Sequence, residues 1–176
     1  MSSINLFLLG FIKKKSISAY ELAKFINENH LNLMIKISTP AVYKNLVKLK
    51  EIGLLSSKNT QTENMPEKTV YSITKKGEEY FNTLITKHAN QDFNIHFDFN
   101  SFIINLDLVS KKKAIKMLAD FKKVLVNKDK EYKKLIKELS NIPVVGQEII
   151  KQLYQTNHTL IKWIEGFTVK YEKTRK

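Results

Sequence analysis

The stretch Ser38–Gly53, STPAVYKNLVKLKEIG, constrains the chain more than any other. Thr39 suits a helix N-cap and Pro40 the first helical position, because the first amides of a helix lack partners and proline has none to leave unpaired. Val42, Leu46, Leu49 and Ile52 recur at spacings of four, three and three, which puts them on one helical face. Gly53 stands where a left-handed residue ends a helix, and Leu54 and Leu55 then re-enter a core. The opposite face carries Tyr43, Lys44, Asn45, Lys48 and Glu51. The result is a short helix with a defined start, a defined stop and a cationic outer face. Such an object fits a DNA major groove, and the same description covers an ordinary surface helix.

What flanks this helix separates the two readings. Residues 4–13 predict a first helix that is apolar nearly all round, with Ile4, Leu6, Phe7, Leu8, Leu9, Phe11 and Ile12. A helix of that kind needs cover on more than one side. One side suits its own domain, and Leu6, Phe7 and Phe11 are assigned to a contact with a second subunit. Lys13–Ile17 read as a polar turn. Ser18 then caps a helix over Ala19–Asn29, with Glu21 at the third position of a capping box and Leu22, Phe25 and Ile26 facing inward. Residues 30–37 fit a loop or a brief alternation equally. Leu54–Lys58 reads as a strand, Asn59–Glu67 as a loop containing Pro66, and Lys68–Ile73 as the returning strand. Thr74 caps the next helix, which turns Tyr80, Phe81, Leu84 and Ile85 to the core. The predicted fold class is therefore mainly α. Three helices, a β-hairpin wing and a fourth helix make a winged helix-turn-helix over residues 1–86, a linker covers 87–100, and an all-helical domain covers 101–176.

Charge points to the partner. Thirty basic residues stand against 17 acidic ones, a formal +13 that is spread evenly between the two halves. An excess of this size favours a polyanion, because each neutralised phosphate releases counterions. All but one of the basic residues are lysine, which also fits codon bias in an AT-rich genome. With Arg175 the sole arginine, base contacts fall to Lys, Asn, Ser, Thr or Tyr. Cysteine is absent, so the chain has no disulfide, thiol nucleophile or thiolate metal site. The apolar run INLFLLGFI is nine residues long and precedes its lysine cluster, the reverse of a signal peptide. A cytoplasmic location is expected.

The second half is helical in pattern. A short helix begins at Asn100 or Ser101. Ser110 caps a long one from Lys111 to about Ser140, and a last one runs from Val145 to about Tyr171. Two long amphipathic helices form a thin layer that a second copy of the chain completes most economically. Phe121, Leu125, Leu160, Trp163, Ile164 and Phe167 are assigned to that dimer contact, together with the first helix. A coiled-coil scaffold unrelated to DNA is the competing reading. Trp163 is read as a core or interface residue, with the wall of a ligand pocket as the alternative.

No sequence feature points to catalysis. The five glycines are isolated and form no phosphate-cradling loop, and the four histidines suggest no triad. His88, Asp92 and His96 stand four apart and would share a face on one continuous helix. The intervening Phe93, Asn90 and Asn94 predict a break instead. Neither an enzyme, a cofactor nor a metal is expected.

The motifs FLLGFI, SAYELAKFI, AVYKNLVKLKEIGLL and MPEKTVYSITKKGEEYF together resemble the PadR family of bacterial transcriptional regulators. The helical second half is similar, more weakly, to the dimerisation domain of the longer PadR-like and AphA-like members. The resemblance implies a homodimer that binds double-stranded DNA at a two-fold symmetric operator, as a repressor relieved by a small-molecule effector or another signal. An AphA-like activator, or a winged-helix module that docks proteins without DNA, are the alternatives. Ser38, Thr39, Tyr43, Lys44, Asn45 and Lys48 are the expected DNA contacts on the third helix, with Lys58 and Lys68 on the wing strands. The resemblance adds Tyr20 near the phosphate backbone.

Overall fold

A computed structural model describes residues 3–60, 68–138 and 143–174. The chain divides into two compact units, Met1–Phe93 and Asn94–Lys176.

In the first unit, helix α1 (Ser3–Lys14) buries Leu8, Leu9 and Ile12. Leu6, Phe7 and Phe11 are half-buried and pack on the same core, and the Phe11 ring centroid lies 4.8 Å from that of Phe25. Much of the apolar girth of α1 is thus covered by its own domain. Ile17 corrects the sequence reading: it is not the end of a polar turn but forms, with the capping residue Ser18, a short strand, β1 (Ile17–Ser18), whose register sets Ile17 opposite Tyr71. Two residues are too few to show periodicity, so only the sheet partner reveals the strand.

Helix α2 (Ala19–Glu28) begins with the expected capping box: Glu21 N donates to Ser18 Oγ at 3.2 Å, and Ser18 N donates to Glu21 Oε2 at 3.1 Å. A 3₁₀ turn at Leu31–Leu33 leads into helix α3 (Thr39–Glu51). The N-cap of α3 is Ser38, one residue before the expected Thr39; Ser38 Oγ accepts from Ala41 N at 3.4 Å. Val42, Leu46 and Leu49 are buried, whereas Ile52 is exposed because the helix has ended and the chain is turning at Gly53 (φ +76°).

Strands β2 (Leu55–Thr60) and β3 (Lys68–Ile73) form an antiparallel hairpin. The sheet order is β1-β3-β2, so β2 is an outer strand, with Lys58 opposite Val70. The expected loop overlaps β2 at Asn59 and Thr60, and its remainder, including Pro66 and Glu67, lies outside the described residues. Thr74 caps helix α4 (Lys75–Ala89) by accepting from Gly77 N at 3.0 Å. Leu84 is buried and Tyr80 and Phe81 pack on the core, but Ile85 points outward. The core of this unit therefore sits between α1, α2 and α3 and the sheet, and it leaves the outer face of α3 uncovered.

In the second unit, α5 (Asn100–Ile104) and a 3₁₀ turn at Leu106–Leu108 precede two long helices, α6 (Lys111–Lys137) and α7 (Val144–Glu172). Ser110 stands at the N-cap of α6 but makes no side-chain cap bond there. Lys111 meets the Thr174 carbonyl, Lys122 pairs with Glu165 at 2.9 Å, and Asp129 lies 3.7 Å from His158. These pairings run in opposite senses along the two helices, so α6 and α7 are antiparallel. Leu106, Ala114, Leu118, Leu125 and Ile164 form the core. Leu125 and Ile164 are consequently buried inside one chain, which corrects their assignment to a dimer face. Phe121, Leu160 and Phe167 are half-buried, and Trp163 keeps 40% of its surface exposed.

Candidate nucleic-acid interface

The outer face of α3 is held in place from both ends. At its start, Asn27 Nδ2 of α2 donates to Thr39 Oγ1 at 3.4 Å, which links the two helices of the helix-turn-helix. At its finish, Lys76 Nζ of α4 donates to the Ile52 carbonyl at 2.9 Å, placing a cation where the helix dipole is negative. Between these anchors the buried stripe Val42–Leu46–Leu49 fixes the rotation of the helix. What remains outside is thereby determined.

Tyr43, Lys44, Val47, Lys48 and Glu51 line one shallow depression on that face. Tyr20, Thr39 and Tyr43 line a second with Lys24 and Asn27. Tyr20 is 67% exposed and Tyr43 42% exposed, so both tyrosines stand at the surface of the helix-turn-helix rather than in its core. Lys44 and Lys48 are exposed and four residues apart, on one side of the helix.

Two expected contacts are otherwise engaged. Asn45 Nδ2 donates to the Ala41 carbonyl at 2.7 Å, so its amide is folded back on its own helix and does not project as a base reader. Lys68 Nζ pairs with Glu21 Oε1 at 2.9 Å and ties β3 to the start of α2. The hydrogen bond from Lys68, followed by those from Ser18, holds the Glu21 carboxyl down to about 2. Lys58 is exposed on β2. One residue escaped the sequence reading altogether. Val47 is an aliphatic side chain 47% exposed on the cationic face. Its position four residues after Tyr43 carries the signal; its hydropathy alone suggests a core residue.

Residues 8–83 match the sequence profile described as the transcriptional regulator PadR-like family. The N-terminal unit is a PadR-family domain. The PadR-like fold extends through both units. The chain is similar to Bacillus subtilis PadR crystallised with operator DNA, at 16% identity and a TM-score of 0.83, over 97% of this chain and 98% of that one. It is also similar to the same protein crystallised with p-coumaric acid, at 14% identity and a TM-score of 0.74, over 97% and 96%. The Vibrio cholerae virulence activator AphA matches at 17% identity and a TM-score of 0.73, over 97% and 98%. No curated protein matches the sequence.

The PadR-like match places the domain among DNA-binding regulators rather than enzymes. Among the described residues, no group of three or more His, Asp or Glu side chains is placed to hold a metal. Helix α4 ends at Ala89, which separates His88 from Asp92 and His96. No helix among the described residues is long and apolar enough to cross a membrane.

Proposed function

We propose that this protein is a cytoplasmic, homodimeric repressor that sets α3 of each subunit into successive major grooves of an operator and leaves it when an effector binds. The observation that carries this reading is the outer face of α3. A helix pinned at both ends by other elements presents Tyr43, Lys44 and Lys48 to solvent, beside Tyr20 of α2, in a PadR-like domain. Lys44 and Lys48 meet phosphates or the acceptor edge of guanine. Ser38, Thr39, Tyr20 and Tyr43 supply hydroxyls or amides at the flanking backbone, and Lys58 reaches DNA beside the groove. Asn45 and Lys68 serve the domain instead: one braces α3, the other fixes the wing to α2. Two such heads reach half-sites roughly 34 Å apart, one turn of duplex.

The dimer follows from the second unit. Two helices bury one shared stripe, and Trp163, Phe121 and Phe167 remain partly exposed beside it. A second copy covers that aromatic surface most economically. Effector relief is supported by the likeness to a PadR crystallised once with operator DNA and once with p-coumaric acid. The likeness to an activator, AphA, supports a second reading in which the same DNA contacts recruit rather than block polymerase.

Selection of bound duplexes from a random pool tests the proposal: a two-fold motif is expected. In gel-shift titrations on that duplex, Lys44→Ala with Lys48→Ala weakens binding while the dimer persists. Their loss also flattens the dependence of log affinity on log salt by about 0.9 for each phosphate contact removed. Unchanged affinity and slope would remove both lysines from the interface, and failure to select any motif would sink the regulator reading.

A further inference from the structure

We infer that Val47 is a specificity-determining residue, reading the 5-methyl group of a thymine in each operator half-site. The inference rests on the DNA-binding reading of α3 and deepens it. Val47 lies on the same face as Tyr43 and in the same depression as Lys44 and Lys48, while the buried stripe on the other face is complete without it. Nearly half its surface is open to solvent, so the domain core does not explain it.

Valine is also a poor choice for an exposed helical site, since a β-branched side chain restricts χ1 and lowers helix propensity. The same restriction holds its two methyl groups in one place, which is useful for contact with a fixed partner. The partner is defined by chemistry. Lys44 and Lys48 draw the face onto phosphate-lined DNA, which argues against an apolar protein helix as the occupant. Within the major groove only thymine presents a methyl group. Other routes to base discrimination are narrow: Asn45 is bonded to the Ala41 carbonyl, and the sole arginine is Arg175, far along the chain. An aliphatic contact to thymine is what this face offers beside Lys44, Lys48, Tyr43 and the carboxylate of Glu51.

The test is a double-mutant cycle between protein and DNA, using the full chain and the duplex obtained by selection. Wild type and Val47→Ala are each titrated against that duplex and against the same duplex with deoxyuridine for thymine in both half-sites. Removing the thymine methyls is expected to weaken wild-type binding by roughly fourfold per contact, about fifteenfold for two half-sites. Val47→Ala should lose a similar amount on the thymine duplex and little more on the deoxyuridine one. Thermal unfolding of the variant should come at or slightly above the wild-type temperature, since the site lies outside the core and alanine is the better helix former. Effects that simply multiply would show that valine and methyl do not meet, and would overturn the inference while leaving DNA binding intact. Wild type binding both duplexes equally would do the same. Failure to select any duplex would remove the underlying reading as well.

Discussion

Gly77 shows how much one missing side chain can decide. It lies in the first turn of α4, where its amide donates to Thr74 Oγ1 and the chain passes directly over the start of β2. A β-carbon there would stand 2.1 Å from the Leu54 carbonyl oxygen and 2.8 Å from Ile73 Cγ1. The first of these is backbone and cannot move aside without shifting the turn after α3. Gly77→Ala is therefore expected to cost at least about 2 kcal/mol, read as a fall in the urea midpoint. An unchanged midpoint would mean that the approach is relaxed in solution. In the sequence this residue is only one letter of the pattern VYSITKKG; the reason for it is a backbone contact 23 residues away in the chain. Asn45 makes the opposite point. Its type and its place on the polar face suit adenine, yet the 2.7 Å bond to Ala41 uses one of its two amide donors locally and folds the side chain back on its own helix.

At the scale of elements, the Glu21–Lys68 pair joins α2 to the strand that carries the wing. The pair is partly exposed, so solvent screens it, but it depends on pH in a definite sense. The Glu21 carboxyl titrates near 2 in the fold against an ordinary 4.5. A carboxyl with a lowered folded pKa contributes stability that is present in full above the ordinary value and is lost as pH falls toward the folded one. The urea midpoint of wild type should accordingly drop as pH falls from about 5 to about 2, and Lys68→Met should show a shallower drop. Identical pH profiles would show that the pair does not hold the two elements together. The long helices have a comparable device. In the polar middle of α6, Asp129 pairs with Lys133 at 2.9 Å, and Asn157 of α7 donates to the Leu125 carbonyl at 2.9 Å. The first pair lies within α6; the second crosses between the helices and fixes the register of α6 on α7 just before the polar stretch Asn127–Lys130.

At the scale of the molecule, the proposed dimer makes a prediction that needs no mutation. Trp163 is the sole tryptophan, 40% exposed; it stacks on Phe167 at a centroid distance of 5.7 Å and meets Phe99 in a tilted contact at 5.8 Å. If a second copy covers this surface, dilution should move the fluorescence maximum to longer wavelength as Trp163 becomes wet. Sedimentation over the same range should pass from twice the 20.5 kDa chain mass toward one. A chain of single mass at all concentrations, with constant emission, would refute the dimer. The order of helices, hairpin and helix was legible from the sequence alone, because caps, helical periodicity and turn residues act over a few neighbouring positions. The outer face of α3 was legible for the same reason. Local pattern could not disclose that Ile17–Ser18 is a strand, that Leu125 and Ile164 are consumed within one chain, or that Asn45 and Lys68 already have partners. Each of these depends on which surfaces meet across long stretches of chain, and only the packed structure decides that.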